Sequence, residues 1–146
     1  MNGEKIYEYE VNITGLTDFG ITLQSVLSGE TTVPPQGVRI NVAFDGRGTG
    51  RLAGRVSGID YVNIRADGRF ELNIHGVIET DDGHRIALAA DGVSNPREGD
   101  PVADLRENVR LTTASEKYAW VNTRQVWGVG TVDPVEGKVR ITGYMQ

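Results

Sequence analysis

The chain has 146 residues, the size of one ordinary domain, and carries 15 Lys and Arg against 20 Asp and Glu, a net charge of −5. Its scattered basic residues argue against a nucleic-acid-binding protein, which needs a basic face to replace phosphate counterions. The lack of cysteine excludes disulfides, thiolate nucleophiles and thiolate metal sites. Neither a signal peptide pattern nor a membrane-length apolar run is present, so we expect a cytoplasmic protein with no membrane partner.

Nearly the whole chain alternates between apolar and polar residues, which is typical of half-buried β-strands. In chain order we predict strands in KIYEYEVNI, FGITLQSVL, GVRINVAFD, RVSGIDYVNI, FELNIHGVIE, HRIALAA, VRLTTA, KYAWVN, RQVWGVG and GKVRITGYM. Hairpin turns are predicted at Asp45–Gly46, Asp67–Gly68, Asp82–Gly83, Asp91–Gly92 and Glu136–Gly137. Residues 64–92 should therefore form a three-stranded meander.

Many short strands with frequent turns predict a single all-β domain over residues 1–146. An antiparallel barrel of about eight to ten strands is favoured over a sandwich, because closing the sheet removes exposed strand edges.

A glycine string follows the strand VRINVA, with Gly48, Gly50 and Gly54 spaced as in some phosphate-binding loops. Such a loop needs a helix after it, and here a β-rich run follows instead. We therefore interpret the glycines as sites of bulges and sharp bends in tightly coiled strands.

The segment from Ser94 to Asn108 departs from the alternating pattern. Asp100 and Pro101 fit an N-cap followed by proline at the first helical position, which predicts one short helix near Pro101–Asn108. The segment is either a lid over a barrel mouth or a surface loop.

Several short motifs occur in an order that resembles a known family, the domain of unknown function 3237. They are Gly37-x-Arg39, Gly58-x-Asp60, Arg65-x-Asp67-Gly68, Asp82-Gly83 and Tyr118-x-Trp120-x-Asn122. The resemblance covers the chain from about Gly20 to Tyr144. It implies a single antiparallel barrel with a central cavity, similar to the barrels of allene oxide cyclase and the lipocalins. It implies no particular reaction, and at His75-Gly76 the chain departs from the Arg-aromatic pair usual in the family.

His75 is the more informative of the two histidines, because it shares a strand face with Glu71 and Asn73. If that face lines the barrel, His75 is a titratable group in a pocket, with Asn73 beside it to bind substrate. If it faces solvent, His75 is an ordinary surface residue.

Three further groups are candidates for the same pocket: Arg39 with Asn41, Asp60, and the set of Tyr118, Trp120 and Asn122. Arg39 and Asn41 alternate with apolar residues along their strand. If the barrel has a polar cavity, these two residues point into it and the apolar face lies outside, covered by a partner subunit in a homodimer. Arg39 would then bind a substrate carboxylate or enolate. Alternatively, their face is solvated. Asp60 is either a general base or a turn-capping residue.

Tyr118, Trp120 and Asn122 share one predicted strand face. They either pack in the core or floor a ligand pocket.

Two histidines at distant positions give little support for a metal site, and we predict none, with no cofactor. The leading hypothesis is an isomerase, cyclase or lyase that acts on a small, aromatic or carbonyl-containing molecule. His75 or Asp60 would be its acid/base group. Arg39 and Asn122 would stabilise developing negative charge, and Tyr118 and Trp120 would shape the pocket. The alternatives are a non-catalytic, lipocalin-like binding protein and a structural subunit that buries its apolar strand face in an oligomer.

Overall fold

Eight antiparallel strands close into one barrel in a computed structural model that describes residues 2–146. The strands are β1 Glu4–Asp18, β2 Val38–Gly50, β3 Gly54–Ile64, β4 Phe70–Thr80, β5 Arg85–Pro96, β6 Ala103–Thr112, β7 Val126–Asp133 and β8 Lys138–Met145. Each strand pairs with its neighbours in sequence, and β8 returns to β1, so every edge is paired. The predicted all-β antiparallel barrel and its meander, β3 to β5, are confirmed.

The apolar face of each strand points into the barrel, and the polar face points outward. Val38, Ile40 and Phe44 of β2 are buried, as are Leu72, Ile74 and Ile78 of β4. This orientation buries the largest apolar area, since within the described chain no second layer covers the outside of the sheet.

Two predicted strands are short helices that connect strands. Within FGITLQSVL, residues Leu23–Leu27 form α1, which begins where the Thr22 side chain accepts a hydrogen bond of 3.2 Å from the Ser25 N–H. Within KYAWVN, residues Glu116–Val121 form a 3₁₀ helix. The Asn122 side chain then ties this connection back to the backbone of Thr113 with two hydrogen bonds of 2.8 Å.

The helix predicted near Pro101–Asn108 is also wrong, because β6 begins at Ala103. Asp100 instead accepts a hydrogen bond from the Val102 N–H in the tight connection before β6. Alternating burial along β6 outweighs the N-cap signal, with Ala103, Leu105, Val109 and Leu111 all inside the barrel.

Two predicted turns lie inside strands. Asp45–Gly46 belongs to β2 and Asp91–Gly92 belongs to β5, so both strands are longer than the turn signals suggested. A strand and not a helix follows the glycine string, as expected for a chain without a phosphate-binding loop. The predicted bulges are absent, because the β2–β3 register is continuous from Val38 and Ile64 to Gly48 and Gly54, and the glycines instead allow neighbouring backbones to lie close together. Gly58 lies opposite Gly76, and a Cβ at Gly58 would lie 2.3 Å from the His75 carbonyl oxygen.

The barrel has one filled end and one open end. At the filled end, Leu52 from the β2–β3 turn packs in the core with Tyr118 and Val121 of the 3₁₀ helix. The open end carries α1 and the β5–β6 and β7–β8 connections. Among residues 2–146, no helix has the length and apolar character needed to cross a membrane.

Candidate functional site

A cavity of about 130 Å³ lies inside the barrel and opens at the end that carries α1. Its mouth is bordered by Leu23 and Leu27 of α1 and by prolines of two strand connections, Pro101 and Pro134. The inner part is lined mainly by aliphatic and aromatic side chains from the inward strand faces, including Ile40, Phe44, Val62, Phe70, Leu72, Ile74 and Leu105. An engineered cavity of about 150 Å³ in another protein holds benzene, so this space suits one ring.

Asp60 brings a carboxylate into this apolar space from the inner face of β3. The β3–β4 ladder runs to Asp60 opposite Ile74 and resumes at Asn63 opposite Glu71. Between these pairs, the Asn73 N–H donates a 2.9 Å hydrogen bond to the Asp60 carboxylate. Burial raises the pKa of Asp60 to about 6, although this hydrogen bond opposes the shift.

Glu107 brings a second carboxyl group into the cavity, from the inner face of β6. The residue is 4% exposed, and within residues 2–146 neither carboxyl oxygen has a hydrogen-bond partner. Burial, and to a smaller degree the negative charge of Asp60, raises the pKa of Glu107 to about 8. An unpartnered buried carboxyl group is costly, which marks this position as one that a ligand would complete.

Four residues that lie side by side on β1, β8, β7 and β6 make room for the Glu107 side chain. Tyr7 pairs with Gly143, Gly143 with Gly128, and Gly128 with Glu107. A Cβ at Gly128 would lie 3.0 Å from the Oε1 atom of Glu107, and one at Gly143 would lie 2.2 Å from the Tyr7 ring. The two glycines therefore admit the Tyr7 ring and the Glu107 side chain to the same inner wall.

Tyr7 and Tyr9 of β1 complete the polar part of this wall. Their rings stack with centroids 5.6 Å apart. The Tyr7 hydroxyl is buried and finds no hydrogen-bond partner in the described chain. Burial, followed by the negative charge of Glu107, raises the pKa of both tyrosines, so they are neutral near pH 7.

Two carboxyl groups share this cavity without a compensating cation. The lining residues include Asp60, Glu107, Ser94 and Tyr9 as polar groups, and among the described residues no Lys, Arg or His lines the space. In the same part of the chain, no group of three or more His, Asp and Glu side chains is placed to hold a metal ion. Near pH 7 one carboxyl group is mainly ionised and the other mainly protonated, so the pair can accept and donate protons without large energetic cost.

Of the residues predicted from sequence, Asp60 lies in the cavity and His75 does not. His75 is exposed on the outer face of β4, where its ring meets the edge of Tyr61 at 5.9 Å between centroids. It lines a shallow surface depression with Gly58 and Arg110. The expectation that the His75 face lines the barrel is therefore wrong, because the apolar face of β4 fills that space.

The other predicted residues of β2 and β4 also lie on outward faces. The Arg39 side chain donates a 2.8 Å hydrogen bond to the Asn63 side chain on the outer surface. Asn41 lies on the same outward face and is half-buried, and its Oδ1 atom has no partner within the described residues. The Asn73 side chain is exposed, and only its backbone N–H reaches Asp60.

Tyr118, Trp120 and Asn122 lie together at the filled end of the barrel. The Tyr118 hydroxyl donates a 2.8 Å hydrogen bond to Asp82, and the Arg51 guanidinium stacks on Trp120 at 3.8 Å from the ring centre. Their contacts hold the 3₁₀ helix against the β2–β3 and β4–β5 turns. They do not line the cavity.

Sequence reasoning missed Glu107, although a signal for it was present. In ADLRENVRL, the positions of Ala103, Leu105, Val109 and Leu111 form an alternating apolar face, and Glu107 interrupts that face. A lone carboxyl group on an otherwise apolar inner face indicates a functional position.

Comparison with known proteins places the fold among small barrels. A structure of a protein with unknown function from Clostridium acetobutylicum ATCC 824 matches with a TM-score of 0.80 and 23% identity, covering 100% of this chain and 99% of that one. A beta-barrel like protein from Acinetobacter baumannii AYE matches with a TM-score of 0.79 and 20% identity, covering 99% and 94%. An enzyme from Penicillium herquei matches with a TM-score of 0.61 and 18% identity, covering 100% and 98%.

A search of curated proteins finds no match. The model of one family, described as protein of unknown function (DUF3237), matches residues 16–145, which is most of the chain. This chain therefore belongs to the DUF3237 family, the family that its motifs resemble.

Proposed function

We propose that the protein is a cofactor-independent enzyme that transfers protons on a small molecule bound in the barrel cavity, by isomerisation, cyclisation or a lyase-type elimination. The observation that carries this proposal is the pair of buried carboxyl groups, Asp60 and Glu107, in an apolar cavity whose described lining contains no cation. The Penicillium herquei protein, described as an enzyme, supports catalysis in a barrel of this fold.

Asp60 is the general base of this proposal. Its pKa of about 6 leaves it mainly ionised at pH 7, while burial keeps it more basic than a surface aspartate. The hydrogen bond from the Asn73 N–H fixes one carboxylate oxygen, so the other is available to take a proton from a bound molecule.

Glu107 is the general acid. With a pKa of about 8 it is mainly protonated at pH 7, and its two oxygens have no competing partner within the described residues. A neutral carboxylic acid in an apolar site donates a strong hydrogen bond to an oxygen on which negative charge develops. His75 and Arg39, predicted as catalytic from the sequence, have no part in this proposal because they lie on the outer surface.

A second candidate function is a non-catalytic binding protein for a small aromatic or apolar ligand. The mostly apolar lining of the cavity favours it, and it requires no proton transfer. The apolar strand faces that the oligomer hypothesis needed on the outside lie inside the barrel, whereas a homodimer stays a prediction. A cytoplasmic location stays a prediction.

Deuterium incorporation separates the two candidate functions. The protein is incubated in D₂O with a panel of one-ring ketones, enones and phenols, and loss of carbon-bound protons is followed by proton NMR. We expect faster exchange than in buffer, with Asp60→Asn and Glu107→Gln each slowing it by about 10²-fold or more. The matched controls Asp91→Asn and Glu116→Gln change exposed carboxylates and should leave the rate unchanged. Compounds that bind without exchange would favour the binding protein.

A further inference from the structure

The charges and unpartnered atoms around Glu107 also determine which class of small molecule fits the cavity. We infer that the cavity selects an uncharged, ring-sized carbonyl compound whose carbonyl oxygen accepts a hydrogen bond from Glu107, and that it rejects anions of the same shape. The inference deepens the proposed function and rests on its assignment of Glu107 as a proton donor.

The exclusion of anions follows from the charges at the cavity. Asp60 and Glu107 are the carboxyl groups that line the cavity, and no Lys, Arg or His among the described residues lines it. A carboxylate or phosphate would lose its hydration shell in an apolar chamber and face the negative charge of Asp60. The cavity offers such a ligand no ion pair in return.

The preference for a carbonyl group follows from the unpartnered atoms. Protonated Glu107 is a donor that lacks an acceptor within residues 2–146, and a carbonyl oxygen supplies one. An apolar hydrocarbon would leave both Glu107 oxygens unsatisfied.

The reaction that suits this ligand balances without a further reactant. Asp60 takes a proton from the carbon beside the carbonyl group, the electrons of that C–H bond form a carbon–carbon double bond, and the carbonyl oxygen takes the proton of Glu107. The enol then returns its O–H proton to Glu107, and Asp60 delivers its proton to a carbon of the same molecule. Both carboxyl groups recover their starting states, and nothing is oxidised or reduced.

The titratable groups that face Glu107 predict how binding depends on pH. They are Tyr7 and Tyr9 from β1 and Asp60 from β3, while β5 and β7 present Gly92 and Gly128 at the paired positions. The tyrosines stay neutral in the working range, so the loss of the Glu107 proton governs the upper limit. Affinity for a carbonyl compound should fall as the pH rises above about 8.

The test compares two planar compounds of nearly equal size, acetophenone and benzoate. Binding to the full chain at pH 7 is measured by chemical-shift titration of the backbone amides. We expect acetophenone to bind at least tenfold more tightly than benzoate. Equal or tighter binding of benzoate would overturn the inference.

Two variants at position 107 test the contact itself. Glu107→Gln keeps an N–H donor, so it should retain acetophenone binding within about threefold and lose the decline above pH 8. Glu107→Leu removes the donor and should weaken binding at least tenfold, and an unchanged affinity in this variant would overturn the inference. The binding results are independent of turnover. If acetophenone binds selectively but no deuterium exchange occurs, only the proposed catalysis is contradicted. If exchange occurs but benzoate binds equally well, only the inferred ligand class is contradicted.

Discussion

The ring of Tyr7 occupies the space that a side chain at position 143 would need: a Cβ added at Gly143 would lie 2.2 Å from the Cε2 atom of Tyr7. Tyr7 is 2% exposed, so its ring has no route to solvent without disturbing the inner wall of the barrel. The glycine therefore fixes where the tyrosine packs, and through Gly128 the same row of residues leaves room for Glu107.

Gly143→Ala should destabilise the fold. The added methyl group overpacks the wall beside Tyr7, and overpacking of this kind costs about 1–3 kcal/mol of unfolding free energy. Urea unfolding measures the change. The control is Gly15→Ala, where the new Cβ would make an ordinary 3.8 Å contact with Ala43. A Gly143→Ala cost that is unchanged in a Tyr7→Leu background would show that the clash with Tyr7 is not the cause.

Tyr118→Phe should lower the free energy of unfolding, whereas Tyr7→Phe should not. The Tyr7 hydroxyl is buried and unpartnered within residues 2–146, so its removal should leave the unfolding free energy unchanged or raise it. The Tyr118 hydroxyl donates to Asp82, and its loss should cost about 1–2 kcal/mol. Urea unfolding at pH 6 compares the pair. A larger loss in Tyr7→Phe than in Tyr118→Phe would mean that Tyr7 has a hydrogen-bond partner in solution.

The stability of the wild-type protein should fall as the pH rises from about 5 to about 8. Glu107 keeps its proton in the folded state up to about pH 8 but loses it near 4.5 when unfolded, so the folded state binds more protons over this window. The stabilisation is complete below the unfolded pKa and is lost as the pH passes through the folded one. A shift of this size corresponds to at most about 5 kcal/mol. Asp60 acts in the same direction up to about pH 6.

Glu107→Gln should flatten this pH dependence. Guanidinium unfolding at intervals between pH 5 and pH 9 measures the slope, and the range avoids the acidic region where paired surface carboxylates such as Asp45 titrate. Asp91→Asn, a change of an exposed carboxylate, should keep the wild-type slope. Equal slopes in wild type and Glu107→Gln would show that Glu107 does not titrate with a raised pKa.

Gly128→Ala should disturb the function of Glu107 more than the fold. The added Cβ would lie 3.0 Å from Oε1 and 3.1 Å from the Cβ atom of Glu107, so the side chain has to shift by a few tenths of an ångström. A misplaced acid group costs catalysis steeply. We expect the deuterium exchange rate to fall about tenfold or more, while the melting temperature changes by only a few degrees. An unchanged exchange rate would argue that the position of Glu107 is not critical.

The sequence was sufficient to predict the barrel but not which strand face is inside. Alternation along segments such as GVRINVAFD identifies strands whichever way they point. The choice between the Arg39 face and the Ile40 face depends on what covers each side of the sheet, which is a tertiary property. Within the described residues no further layer packs on the outer face, where Arg39 and His75 lie, whereas Asp60 shares the inward face of Val62.

Glu107 was missed because a local helix-start pattern outweighed the alternating apolar pattern of β6. The Asp100–Pro101 pair is a strong helix-start pattern, and it led to a helix or loop over the residues where β6 begins. The 3₁₀ helix Glu116–Val121 was missed because KYAWVN alternates between two faces, as a strand does. In both segments tertiary packing, and not the local sequence pattern, determines the backbone.

The most direct test of the account is a carbon-13 NMR titration of the side-chain carboxyl carbons in the uniformly labelled protein, with Asp60→Asn and Glu107→Gln used to assign the two resonances. We expect Glu107 to titrate near pH 8 and Asp60 near pH 6, so that at neutral pH one is a donor and the other a base. If both titrate below pH 5, as exposed carboxyl groups do, the cavity holds two carboxylates at neutral pH and the proposed proton transfer is contradicted.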